Sequence, residues 1–366
     1  MKSGAHIDRP LSLLIFILLV GGLLIFASAA FGLLARGALN ISSIVFNHLV
    51  LGVGIGLVAL LITANVDYKV WRRFALLFFV LALISTALVF VPNLGLAHGG
   101  GRRWLDIAGI SFQPAEVLKI AAVMISAAYF SSIRPNIHTA MYTVGGLLAI
   151  LALPVALLVL QPDIGTLGII IASVLSIFLA SGAQWRHILT VVCIVPIALG
   201  ILVMSKPYVR DRVVTFFHPS QNQHAEGYQI RQSLIAIGSG GFSGRGFGQG
   251  VQKFTYLPEP MGDAIFAVAG EELGFIGGVS IIIMFLLFSI RGFWVAARAR
   301  DSFGGLLAIG ISTYLASEAF INIASMLGVA PLTGIPLTFM SQGGSAMMVS
   351  LASAGILLNI SRHKRT

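Results

Sequence analysis

Long apolar runs separated by short polar breaks dominate the chain. Runs of spanning length lie near 11–35, 46–65, 74–91, 115–131, 140–160, 164–182, 187–204, 264–290, 304–327 and 338–360. A bilayer core needs roughly 20 mostly apolar residues per helix, so the pattern predicts an all-α, polytopic membrane protein of about ten transmembrane helices. The first run is too long for the apolar stretch of a cleavable signal, and no convincing cleavage site follows it.

An even number of spans puts both termini on one side. Lys2, Arg9, Arg362, Lys364 and Arg365 mark that side as cytoplasmic under the positive-inside rule. The connections at Lys69/Arg72/Arg73, at Arg134, at Arg186 and at Arg291/Arg298/Arg300 then also fall inside. Two polar segments would lie outside: 92–114, with Arg102 and Arg103, and one large extracytoplasmic loop of about 205–262. Outward arginines on a short connection oppose the usual signal, and an anionic ligand would hold them there. In the large loop, 228–237 reads as a short amphipathic stretch, and the glycine-rich run 238–250 reads as turns. That run matches neither the dinucleotide fingerprint nor the Walker phosphate loop.

Composition sharpens this picture. Of 366 residues, 57% are hydrophobic and only 10% charged, and the mean hydropathy is +0.95. The net charge of +10 is carried largely by basic residues that end apolar runs, so it points to anionic headgroups and away from nucleic acid. A single cysteine, Cys193, excludes an intrachain disulfide and a cysteine-based zinc site. His218 and His224 share the large loop without a third partner at ligand spacing, so no metal site is expected.

Acids at membrane depth mark function or a buried pair. On this topology Glu116, Asp163 and Asp263 share one depth, at the outer ends of spans. Glu116 and Lys119 lie three apart on one helix face, either as a structural ion pair or as substrate contacts. Asp163 and Asp263 each precede an apolar run, where an aspartate commonly caps a helix. A partly desolvated carboxylate at Asp263 would alternatively serve as a general base. Glu271 and Glu272 lie deeper, in a structural hydrogen-bonding role. Arg102, Arg103, Arg210 and Arg212 are candidates to clamp an anion, since guanidinium groups match phosphate oxygens bidentately.

The set of motifs resembles the SEDS family of cell-wall proteins, whose best-known branches are FtsW and RodA. The matching stretches are Gly101-Arg102-Arg103-Trp104-Leu105, Gln113-Pro114-Ala115-Glu116 with Lys119, and Gln161-Pro162-Asp163-Ile164-Gly165-Thr166. They continue with Gly227-Tyr228-Gln229, Gly246-Phe247-Gly248, Leu257-Pro258-Glu259 leading to Asp263, Glu271-Glu272-Leu273-Gly274, Gly334-Ile335-Pro336-Leu337 and Ser341-Gln342-Gly343-Gly344-Ser345. The stretch 251–259, which includes Lys253, resembles the FtsW branch.

The resemblance implies a ten-span fold in the cytoplasmic (inner) membrane and a peptidoglycan glycosyltransferase that polymerises lipid II on its outer face. It implies septal work in cell division, with division proteins and a class B penicillin-binding protein of FtsI type as partners. A lipid II flippase, a RodA-type elongation polymerase and a non-catalytic scaffold are the alternatives. Asp263 matches the catalytic aspartate of the family. Glu116, Lys119 and Asp163 match functional positions around its cavity, and Lys253 joins Arg102, Arg103, Arg210 and Arg212 as an expected substrate contact. No cofactor is required, although a divalent cation, Mg or Mn, would suit a pyrophosphate leaving group. Three positions depart from the family pattern: Gly262 and Ala264 flank Asp263 where Thr and Phe are usual, Ala115 replaces a serine, and Gln342 replaces a tyrosine.

Overall fold

In the computed structural model each apolar run becomes a helix. Residues 7–35, 41–92, 94–98, 101–107, 110–218 and 226–363 are described. The helices are α1 (Arg9–Ala35), α2 (Ile44–Asn65), α3 (Tyr68–Ala87), α4 (Pro114–Ser132), α5 (Ala140–Leu160), α6 (Ile164–Ala180) and α7 (Trp185–Ser205). The large connection folds as α8 (Pro207–Phe217), α9 (Glu226–Ser239) and a single turn at Gln252–Thr255. The chain ends with α10 (Ile265–Ala297), α11 (Ser302–Met326) and α12 (Gly344–Arg362). Nine helices among the described residues are long and apolar enough to span a bilayer, and α6, with 17 residues, is the tenth, shorter one.

Burial separates centre from rim. In their most apolar stretches, 72% of α11 and 78% of α12 are buried, against 6% of α7. Helix α11 packs on α4, α6 and α10, while α12 packs along α2. Small residues permit the close crossings. A side chain on Gly355 would strike Leu60 and Thr63 of α2, and one on Gly310 would strike Val123 and Ile177.

Two features depart from the sequence reading. The segment 92–114 holds a three-stranded antiparallel sheet, β1 (Gly95–His98), β2 (Gly101–Ile107) and β3 (Ile110–Phe112), with Gly95 opposite Leu105 and Leu105 opposite Phe112. Among the described residues the fold is therefore all-α except for this small ribbon. Second, the apolar run 264–290 is not one straight span. Gly274 adopts φ 67° and ψ −163°, which splits α10 into a buried short helix and a long spanning helix.

The glycine-rich turns after α9 supply the partners this break needs. Arg245 and Gly246 donate backbone N–H to the carbonyls of Glu271 and Glu272 at 3.1 and 3.0 Å. Phe275 and Ile276 donate to Gly241 and Phe242 at 2.9 and 3.2 Å. A broken helix at membrane depth survives only when its freed backbone groups are satisfied by protein. Glycine is required because a Cβ at Gly240, Gly244 or Gly274 would collide with the facing backbone.

Candidate active site

The ends of α4, α6, α10 and α11, with the connections around them, meet at one end of the bundle. Pro114 opens α4 at a position where its missing N–H costs nothing. One turn in, Lys119 Nζ lies 2.9 Å from Glu116 Oε2 and 2.6 Å from Glu318 Oε1 of α11. All three side chains are buried, Tyr314 presents its ring to the ammonium, and Thr338 donates to Glu318 Oε2 at 3.3 Å. Glu116 and Lys119 form an ion pair, which Glu318 extends. Removing one member of such a group strands a buried charge.

Asp163 caps α6. Its Oδ1 accepts the Thr166 N–H at 3.2 Å and its Oδ2 the Thr166 hydroxyl at 3.0 Å. Gln113 Nε2 reaches the same Oδ2 at 3.4 Å, which ties the α4 entry to the α6 entry. Side chains alternate across a strand, and the two arginines of β2 divide accordingly. Arg102 is exposed, whereas the half-buried Arg103 donates to the carbonyls of Gln161, at 3.5 Å, and Pro162, beside Asp163. Tyr208 of α8 lies in the same neighbourhood. Burial raises its pKa above the usual phenol value, Arg212 and Arg103 oppose that rise, and Asp163 adds to it. Arg212 is half-buried and Arg210 exposed, as two residues at i and i+2 on a helix point apart.

Asp263 does not cap α10; Ala264 holds that position. Its carboxyl is half-buried, with Gln229 Nε2 of α9 donating to Oδ1 at 2.8 Å. The buried Asn322 of α11 donates through Nδ2 to the Asp263 carbonyl at 2.8 Å and to the Ile335 carbonyl at 2.7 Å. A turn at Glu259, which accepts from Gly262 and Ala264, holds the acid from the other side. Loss of hydration raises the Asp263 pKa to about 7, and the nearby Glu259 charge adds to the shift.

The segment 331–336 touches the surroundings of both aspartates. Gly165, two residues past Asp163, packs against Thr333 and Ile335, while Gly334 approaches Asp263 Oδ2. Around this segment Asp163, Arg103, Tyr208 and Arg212 form one group, and Asp263, Gln229, Asn322 and Glu259 another. One half offers cationic donors, the other a carboxyl poised to change protonation near neutral pH.

The structure does not bring Lys253 to this opening, contrary to the expectation of a substrate contact. It is fully buried, and its three N–H donors go to Ser28 Oγ, the Gly248 carbonyl and Glu272 Oε1. Ser28 also donates to Glu272, while Glu271 accepts the backbone N–H of Val251 and Gln252. Both glutamates thus have the hydrogen-bonding role expected of them. Asn322 and Tyr208 carry no motif in the sequence, and Glu318 stands out there only as an intramembrane acid beside Glu271 and Glu272 that leaves a transport role open. The available signal was the i, i+4 spacing of Glu318 and Asn322 within an otherwise apolar span.

These features define a polytopic membrane protein that gathers acids and arginines at one end of its helix bundle. The chain belongs to the FtsW/RodA/SpoVE family, described as cell cycle proteins, whose family model matches residues 9–366. It is 37% identical over 312 residues to stage V sporulation protein E of Bacillus subtilis (strain 168), covering 85% of each chain. It is 39% identical over 311 residues to a probable peptidoglycan glycosyltransferase FtsW of Geobacter sp. (strain M18), again 85% of each. Peptidoglycan glycosyltransferase MrdB of Escherichia coli (strain K12) is 34% identical across 98% of this chain and 95% of its own. Among solved structures, one on the coordination of polymerization and crosslinking by a peptidoglycan synthase complex matches with a TM-score of 0.78 and 25% identity over 98% of both chains. Rod shape determining protein RodA of Thermus thermophilus shares the fold with a TM-score of 0.70, covering 99% of this chain and 98% of that one at 23% identity.

Proposed function

We propose that this chain is a peptidoglycan glycosyltransferase that polymerises lipid II at the outer face of the cytoplasmic membrane, with both termini inside. The family relationship supplies the reaction class. The observation that carries the site assignment is the half-buried Asp263 carboxyl, held by Gln229 and with a pKa near 7. In that state it accepts a proton at working pH without being permanently charged.

The ionised Asp263 removes the proton from the acceptor sugar hydroxyl. That oxygen attacks the anomeric carbon of the donor, the bond from that carbon to the pyrophosphate oxygen breaks with inversion, and the lipid pyrophosphate leaves. Arg103 and Arg212, around Tyr208 and Asp163, meet the charge that develops on the leaving group. Arg102 and Arg210 are exposed and suit headgroup contact or first capture. A divalent cation, when bound, would share the neutralisation of the pyrophosphate. Asn322 is a positioning residue, since it fixes the backbone of Asp263 to segment 331–336.

We assign the septal, FtsW-type role, with a class B penicillin-binding protein supplying crosslinking. The transport reading needs polar groups forming a path across the bundle. Glu271, Glu272 and Glu318 are instead engaged in closed hydrogen-bond and ion-pair clusters. The deciding experiment is polymerisation of lipid II by the purified full chain with its transpeptidase partner. Polymer from the parent chain and none from a folded Asp263→Asn variant is expected; equal polymer from both overturns the assignment of the base.

A further inference from the structure

The opposite end of the bundle carries its own cavity, unconnected with the chemistry above. It has a volume of about 450 Å³ and lies among the feet of α4, α6, α10 and α11, within the 300–1,000 Å³ range usual for ligand sites. Its inner wall is apolar and buried, formed by Phe130, Leu306 and Ala296. Its mouth holds the exposed Arg134 and Arg300.

The mouth is arranged rather than frayed. Arg134 Nη1 donates to Ser302 Oγ at 2.8 Å, which holds the guanidinium across from the α4 end to the α11 start. The one acid among the described lining residues, Asp301, has both oxygens occupied: Tyr68 donates to Oδ2 at 2.6 Å and the Gly304 N–H to Oδ1 at 2.8 Å. Two positive groups thus share the mouth with a single carboxylate already engaged with neutral donors. On one flank the wall continues through Ala297 and Phe293, both exposed on the outer surface of α10. The cavity therefore opens towards the acyl region beside the bundle as well as towards solvent.

We propose that this cavity binds an anionic phospholipid. The phosphate sits between Arg134 and Arg300, and the first methylenes of one chain lie along Ala297 and Phe293. Basic pockets between spanning helices at the anionic cytoplasmic leaflet suit lipid headgroups. The continuous apolar flank favours a lipid over a free anion, because a soluble phosphate has no use for it.

The test uses the full chain in detergent, titrated separately with phosphatidylglycerol, phosphatidylcholine and inorganic phosphate, with bound lipid read by native mass spectrometry. Phosphatidylglycerol should bind selectively. Each charge-removing change, Arg134→Gln or Arg300→Gln, should weaken it about fivefold, and the pair about 20-fold. Ala297→Phe, which fills the flank and leaves both arginines in place, should weaken it too. The pair Arg72→Gln/Arg73→Gln, on the same end but outside the cavity, should leave binding unchanged. Equal loss in that control would reduce the effect to general surface charge and overturn the proposal. So would equal binding of phosphatidylcholine, displacement by inorganic phosphate at matched concentration, or undiminished binding in both Ala297→Phe and the double arginine variant. Polymerisation plays no part in the readout, so this site stands or falls separately from the assignment of Asp263.

Discussion

Glu318 and Asn322 lie one turn apart on α11 and illustrate two uses of a polar side chain inside a helix bundle. Glu318 completes a closed group: Lys119 is 2.6 Å away, Glu116 shares that cation, and Thr338 reaches the other oxygen. Asn322 instead reaches outward, spending both amide hydrogens on carbonyls that frame Asp263. The first arrangement pairs buried charges with one another; the second leaves the acid it supports half-buried and able to change charge. Burial of charge alone therefore does not identify chemistry in this bundle. What sets Asp263 apart from the Lys119 group is that, among the described residues, its carboxyl is met by a neutral donor and is only half-buried.

The comparison breaks first at its two strongest members. Asp263→Asn should lower the polymerisation rate by about 10²–10⁴-fold, the usual contribution of a general base, with an unchanged melting temperature. Lys119→Met should do the reverse in kind. It strands Glu116 and Glu318 and should cost about 3–5 kcal/mol of stability, seen as loss of folded protein in a thermal melt. Adding Glu116→Gln and Glu318→Gln to Lys119→Met should recover much of that loss. A Lys119→Met protein that melts normally yet fails to polymerise would move Lys119 from structure into the site.

Asn322→Ala sharpens the boundary between the two groups. It removes bonds to two carbonyls, and each neutral hydrogen bond is worth about 0.5–1.5 kcal/mol net. The expected result is roughly a tenfold fall in kcat with a KM close to that of the parent chain. A rise in KM with kcat preserved would show that segment 331–336 serves substrate binding rather than the placement of Asp263.

Much of this was legible beforehand. Ten apolar runs announced ten helices, and the shared depth of Glu116, Asp163 and Asp263 pointed to the end of the bundle where the candidate site lies. The break at Gly274 was hidden because the apolar pattern runs through it; only the acids Glu271 and Glu272 hinted that the segment needed polar partners. The ribbon at 95–112 was also missed, although the dipeptide Gly99-Gly100 between short runs is a hairpin signal. Asp163 and Asp263 looked alike as helix caps. Their difference is tertiary: Thr166 sits within reach of Asp163, whereas Asp263 is met by Gln229, 34 positions earlier in the chain. Lys253 misled because sequence position in a loop says nothing about the acid it meets inside the fold.

The smallest expected effect probes how the Asp263 carboxyl is tuned. As a base it acts when ionised, so activity should rise with pH through its pKa of about 7. Glu259 is a like charge that raises that pKa, and Gln229 is a donor to the carboxylate that lowers it. Glu259→Gln should therefore move the acid limb of the rate profile to lower pH. Gln229→Leu should move it to higher pH, since a carboxylate without its donor holds its proton more tightly. The Glu259 shift should be modest and should shrink with added salt, because that side chain is exposed and its field is screened. Opposite movements in the two variants would tie the limb to Asp263 itself. A limb that stays in place in both would assign the titration to the leaving group or to the acceptor.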